Sequence, residues 1–122
     1  MPYSRGMGAM GLPGDCSSAS RFARAAFVLE NAASESDEPS SVSQFFHILG
    51  VVEHVRGCVL LDNGKYEITA YTSCINLDRG IYYYTTYENR AISAVDLFKC
   101  DLDGGELSRF SLQTEQKITW QN

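Results

Sequence analysis

The sequence predicts an α+β fold in which two helices precede an antiparallel β-meander. Residues 17–31 and 42–53 carry apolar side chains at the three- and four-residue spacing of one helix face. After Gly57 the composition changes, and segments rich in Tyr, Ile, Thr and Val follow with short polar turns between them. Such short connections favour antiparallel neighbours. The predicted strands are residues 66–75, 81–88 and 91–97.

The composition is that of one globular unit, and we predict a single domain over residues 1–122. The chain is 44% hydrophobic and 20% charged, with a formal net charge of -5. Because an acidic surface repels phosphates, we expect neither nucleic acid nor a membrane as a partner. Residues 1–14 hold Gly, Pro and Arg where a signal peptide has an apolar stretch. No apolar run reaches the roughly 20 residues that span a bilayer. We therefore expect a cytoplasmic protein.

Residues 1–15 are predicted to form a glycine-rich loop. Gly6 to Gly11 spell the GxGxxG of dinucleotide sites, but too few residues precede them to form the strand that such a site requires. His47 and His54 are seven positions apart, whereas helical zinc sites place two histidines at i and i+4. The four cysteines contain no CxxC pair. We therefore predict no metal site, no cofactor site and four free thiols.

The helix boundaries are predicted from capping residues. Asp15 or Ser18 can cap the first helix, and Ser41 with Gln44 forms a capping box for the second. The acidic segment 32–40 between them is predicted to be a solvated linker.

The middle strand presents two semi-apolar faces. One face carries Ile81, Tyr83, Thr85 and Tyr87, and the other carries Tyr82, Tyr84 and Thr86. A sheet with one wet face alternates apolar with clearly polar residues. We expect both faces of the sheet to be packed against another layer of structure. Two helices can cover only one of them. The tail segment 117–120 is a candidate for one further short strand.

Arg21 is the residue that the sequence singles out. It lies in the first turn of the first predicted helix, where the helix dipole disfavours a cation by roughly 0.3–1 kcal/mol. Spacing alone suggests a solvated surface arginine, and removing it should change stability by under about 1 kcal/mol. Arg24, one turn further on, is expected to be an ordinary surface residue.

Several strings along the chain resemble bile salt hydrolases and their penicillin V acylase relatives, the choloylglycine hydrolase family. They are SRGMG, GLPGD and SSASRF within residues 4–22, VSQFFHILG at 42–50, YTSC at 71–74, GIYYYTTY at 80–87 and AVD at 94–96. The strings agree in order and spacing over the whole chain. FFHILG and YYYTTY are closer to bile salt hydrolases than to penicillin V acylases.

The resemblance implies part of an N-terminal-nucleophile hydrolase fold, in which two antiparallel sheets lie between helical layers (αββα). Its activity would be hydrolysis of the amide that joins a bile acid to glycine or taurine, by an N-terminal cysteine. The family's SxSRF arginine corresponds to Arg21, which is thereby implied as a catalytic residue beside that nucleophile. The family's other catalytic residues have no position in this sequence.

The resemblance also implies the partners. They are a conjugated bile salt as substrate, the missing N-terminal half of the same fold, and further copies in a homo-oligomer once the enzyme is complete. We expect a bacterial, cytoplasmic hydrolase, of which this chain alone is an inactive C-terminal portion. Two alternatives stay open: a fragment of a penicillin V acylase-like amidase, and a non-catalytic binding or interaction module.

Overall fold

The structure is a computed structural model that describes residues 8–122. Its elements are the helices α1 (Ser18–Asn31) and α2 (Glu38–Gly50), the strands β1 (Tyr71–Asn76), β2 (Ile81–Thr86) and β3 (Ser93–Asp96), and a 3-10 turn at Leu97–Lys99. The predicted α+β class and the order of elements are confirmed. The chain divides into two compact units. The first ends at Ile68 and the second spans Thr69–Asn122. The first two residues of the GxGxxG string and the first four of the family string SRGMG lie outside the described residues.

Helix α1 begins at Ser18, one residue after the predicted start, and ends at Asn31 as predicted. Its N-cap is Ser17, whose side chain accepts a hydrogen bond from the Ser20 amide at 3.3 Å. The predicted caps, Asp15 and Ser18, are therefore wrong. Asp15 instead accepts a hydrogen bond from the Ser17 amide at 2.7 Å, which holds the capping residue in place.

Helix α2 begins earlier than the sequence suggested. Asp37 caps it and Pro39 lies in its first turn, so the predicted linker to residue 40 is too long. The physical reason is that proline costs no hydrogen bond at a helix start, where the amide has no helical acceptor. The helix ends at Gly50, before the predicted end at residue 53.

The predicted capping box has a different role. Ser41 donates to the carbonyl of Glu35 at 2.8 Å, and Gln44 donates to the carbonyl of Ala33 at 3.0 Å. Both side chains therefore hold the connection between the helices against the first turns of α2.

The cap of α2 makes its N-terminus sensitive to pH. Hydrogen bonds from the backbone amide and then the side chain of Ser40 hold the pKa of Asp37 below its ordinary value. A lowered folded-state pKa adds stability above the unfolded pKa, and this stability is lost as pH falls through the folded pKa. We therefore expect the Ser40 amide resonance to shift in NMR titrations below about pH 4. Asp37→Asn keeps the acceptor and should abolish this titration; a persisting shift would contradict the assignment.

A short hairpin that was not among the predicted elements follows α2. Leu60 and Tyr66 form an isolated antiparallel bridge, and the Leu61 amide donates to the Lys65 carbonyl at 2.8 Å. Gly64 turns the chain with a φ of 76°. The first predicted strand is therefore wrong at its start, because residue 66 belongs to this hairpin and β1 begins at Tyr71.

The three strands form the predicted antiparallel meander in the order β1-β2-β3. Ser73 of β1 and Ser93 of β3 flank Tyr84 of β2. Tyr84 and Thr86 are buried on this face. The C-terminal segment is bonded there, because the Gln113 amide donates to the Tyr84 hydroxyl at 3.2 Å. Part of the cover that the sequence required is therefore supplied by the chain's own tail.

The predicted tail strand at 117–120 is wrong, since these residues pair with no strand among the described residues. The tail is held instead by side chains near the end of β2. The Gln113 carbonyl accepts from Thr86 at 3.1 Å and from Asn89 at 3.3 Å, and the Gln116 side chain accepts from the Arg90 amide at 2.8 Å.

Asn89 is the buried centre of this attachment. Its amide donates to the Thr86 hydroxyl, its side-chain nitrogen donates to Gln113, and its side-chain oxygen accepts from the Ala91 amide. We expect Asn89→Ala to destabilise the second unit by about 1–3 kcal/mol, because buried polar groups lose their partners. Urea unfolding checks this. Asn89→Asp keeps the acceptor and loses the donor, so it should also destabilise the second unit. If the free energy of unfolding of both variants equals that of the wild type, the attachment of the tail contributes nothing to stability.

Candidate functional site

Arg21 lies where the first turn of α1 meets the end of α2. Its backbone amide donates to the Ser17 carbonyl at 2.9 Å, which is a hydrogen bond of the first helical turn. Its half-buried side chain reaches across to the other helix, and Nε donates to the Val52 carbonyl at 2.9 Å. Val52 follows the end of α2, where free carbonyls carry partial negative charge and attract cations. The positive charge of Arg21 is disfavoured at the N-terminus of α1 and is stabilised by the C-terminus of α2.

This contact corrects the expectation that Arg21 is a solvated surface residue with little effect on stability. A part-buried hydrogen bond from a charged donor contributes about 1.5–3 kcal/mol, more than the small penalty of a cation at a helix N-terminus. The acceptor is a backbone carbonyl, a group that every residue carries, so residue types give no signal for it.

A hydrogen-bonded polar cluster fixes the turn before Arg21. The hydroxyl oxygens of Ser17 and Ser20 lie within hydrogen-bond distance at 3.0 Å, and Ser20 is buried. Asp15 completes the cluster. Hydrogen bonds from the side chain and the backbone of Ser17, and then from Ser20, hold the pKa of Asp15 below its ordinary value, with a smaller contribution from the charge of Arg24. The carboxylate is therefore ionised and acts as an acceptor for the turn.

Arg24 is hydrogen-bonded to the same turn. It is therefore not the ordinary surface residue that the sequence predicts. Its Nη1 donates to the carbonyls of Pro13 at 2.9 Å and Asp15 at 2.8 Å. Both acceptors precede α1 in the chain. Arg24 therefore closes the turn that leads into the helix, and it is unsuitable as a neutral control for Arg21.

The histidines and cysteines form no second site in the part of the chain that the structure describes. His54 is buried with its Nδ1 at 3.3 Å from Glu67 Oε1, and His47 is exposed. The four cysteines are free, as predicted, and burial raises the pKa of the Cys74 thiol. Residues 8–122 contain no group of three or more potential metal ligands. Neither helix is long and apolar enough to cross a membrane.

The family follows from comparison with known proteins. The sequence model of the linear amide C-N hydrolases, choloylglycine hydrolase family, matches residues 1–110. The chain belongs to this family. The bile salt hydrolase/transferase of Lactiplantibacillus plantarum is 54% identical over 113 residues, which cover 93% of this chain and 35% of that protein. The bile salt hydrolase/transferase of Clostridium perfringens is 42% identical over 118 residues, which cover 97% and 36%. The chain thus spans about a third of the length of these choloylglycine hydrolases.

Solved structures agree with the family assignment. A mutant of the conjugated bile acid hydrolase from Clostridium perfringens superposes with a TM-score of 0.83 at 42% identity, covering 97% of this chain and 36% of that one. Penicillin V acylase from Agrobacterium tumefaciens gives a TM-score of 0.63 at 19% identity, covering 81% and 31%, which shows the fold alone. The predicted resemblance and the predicted partial N-terminal-nucleophile hydrolase fold are confirmed.

Proposed function

We propose that this chain is the arginine-bearing part of a conjugated bile salt hydrolase and acts together with the remaining part of the same fold. The observation that supports this most is the continuous similarity to a bile salt hydrolase/transferase, 54% identical over 93% of the chain. The reaction would be hydrolysis of the amide between a bile acid and glycine or taurine.

In this proposal the remaining part of the fold supplies a cysteine nucleophile and this chain supplies a positive charge. The α-amino group of the cysteine takes the thiol proton, and the thiolate attacks the amide carbonyl carbon. The C–N bond breaks as that proton passes to the leaving amine, and the bile acid stays bound as a thioester. Water then hydrolyses the thioester and releases the bile acid. A guanidinium near the sulfur favours the thiolate over the thiol. The bond from Arg21 Nε to Val52 supports this role, because it fixes the guanidinium and, among residues 8–122, is the one hydrogen bond that its nitrogens make.

A chimaeric enzyme tests the proposal. The segment of the Lactiplantibacillus plantarum hydrolase that aligns with this chain is replaced by residues 1–122, and glycine or taurine release from conjugated bile salts is measured. We expect the chimaera to release the amino acid and the isolated chain to release none. A folded but inactive chimaera, beside an active parent enzyme, would overturn the proposal.

The same assay separates the alternatives for substrate and class. Penicillin V is offered in parallel with the conjugated bile salts, and faster cleavage of penicillin V would favour the acylase alternative. Bile salt binding by the isolated chain without turnover in the chimaera would favour a binding module.

We further propose that the complete protein is a bacterial, cytoplasmic homo-oligomer. Light scattering of the chimaera tests its oligomeric state.

A further inference from the structure

We propose that Arg24 is a positioning residue of the hydrolase: it clamps the turn before α1 and thereby holds Arg21 at the site. The inference rests on the proposed function for its catalytic consequence, and on geometry for the clamp. Nη1 of Arg24 donates to two carbonyls of that turn, Pro13 at 2.9 Å and Asp15 at 2.8 Å. One side chain on the second turn of α1 thus fixes two points of the loop that enters the helix.

The clamp is linked to Arg21 through a continuous chain of hydrogen bonds. Asp15, whose carbonyl Arg24 holds, accepts with its carboxylate from the Ser17 amide at 2.7 Å. Ser17 caps the helix by accepting from the Ser20 amide at 3.3 Å, and its carbonyl accepts from the Arg21 amide at 2.9 Å. Each step fixes the backbone of the next residue in the path. If the turn loosens, the first turn of α1 frays and the position of Arg21 becomes less defined.

The two arginines differ in which nitrogen they use, and this gives a sharp test. The two hydrogen bonds that the Arg24 side chain makes among residues 8–122 come from a single terminal nitrogen, so the ammonium of a lysine, with three donors, can replace it. Arg21 bonds Val52 through Nε, which lysine lacks. Lysine should therefore rescue at position 24 and fail in large part at position 21.

Kinetics of the chimaeric enzyme measure the catalytic consequence. We expect Arg24→Met to lower kcat per folded molecule by about ten- to a hundredfold while KM changes little, because misplacing a group that acts in the chemical step costs rate rather than binding. Arg24→Lys should restore kcat to within a few-fold of the unmodified chimaera. Arg109→Met is the matched control. Arg109 is exposed and makes no hydrogen bond or ion pair among residues 8–122, so both constants should stay unchanged.

Hydrogen exchange measures the clamp without relying on activity. In Arg24→Met, exchange of the Ser17, Ser20 and Arg21 amides should accelerate by about fivefold or more, and Arg24→Lys should reverse this. Unchanged exchange in Arg24→Met overturns the clamp, whether or not the chimaera is active. An active chimaera with unchanged kcat in Arg24→Met overturns the positioning role and leaves the proposed function standing. An inactive chimaera with accelerated exchange overturns the proposed function and the catalytic part of this inference together, and leaves the clamp.

Discussion

Arg21→Ala is expected to reduce kcat of the chimaeric enzyme by about a hundred- to a thousandfold, the loss typical of removing one preorganised electrostatic group from an active site. Arg21 lies in the first turn of α1, and its Nε donates to the Val52 carbonyl. The charge of the guanidinium therefore has a fixed position. Alanine removes both the charge and this contact. Steady-state release of glycine or taurine, corrected for the folded fraction, measures the effect.

The stability of the same variant has to be measured separately, because Arg21 also joins the two helices. We expect Arg21→Ala to lower the free energy of unfolding by about 1.5–3 kcal/mol, which denaturant titration detects. Arg21→Lys keeps a positive charge but lacks the Nε donor and the planar fork, so it should recover only part of the activity. Arg109→Met is again the control. If Arg21→Ala has no larger effect on kcat than Arg109→Met, the catalytic assignment of Arg21 is refuted.

The helices and the meander could be predicted because their signals are repetitive. The apolar spacing from residue 17 to 31 and the Tyr- and Thr-rich segment of β2 each repeat a pattern over several positions, so the correct element emerges even when single residues mislead. Single residues decide the boundaries, and several of those predictions are wrong. Pro39 has the composition of the predicted linker but lies in the first turn of α2, and Asn63 with Gly64 forms a hairpin turn that the predicted strands do not include.

The sequence could predict which side chain belongs to the candidate site, but it could not predict the backbone groups that the side chain contacts. Arg21 was identified through the family string that contains it, whereas its acceptor at Val52 and the carbonyls held by Arg24 are backbone groups. Backbone carbonyls are the same in every residue, and their positions depend on how the helices and turns are arranged. From sequence alone, Arg24 therefore has the pattern of an ordinary surface residue, and only the three-dimensional position of the turn shows its two acceptors.

Gly80→Ala is expected to destabilise the second unit by at least about 1–2 kcal/mol. Gly80 has a φ of 62°, a conformation that costs an alanine roughly 1–2 kcal/mol. An added Cβ would also lie 2.6 Å from Cε2 of Phe98, so the ring has to move, and the energy of moving it adds to that of the backbone. The same residue accepts a hydrogen bond from the Leu97 amide at 2.9 Å, so the backbone has little freedom to retreat. Urea unfolding of the full chain, with exchange of the β2 amides, measures the loss.

A double-mutant cycle separates the two causes of this loss. In a Phe98→Ala background the collision is removed, so Gly80→Ala should cost only the roughly 1–2 kcal/mol of the left-handed backbone. The difference between the two backgrounds is then the energy of the contact with the ring. Phe98 is 66% exposed, so its ring has room to rotate away from a new methyl group. A cost of Gly80→Ala that is equal in both backgrounds would show that the ring moves freely and that the backbone conformation alone requires glycine.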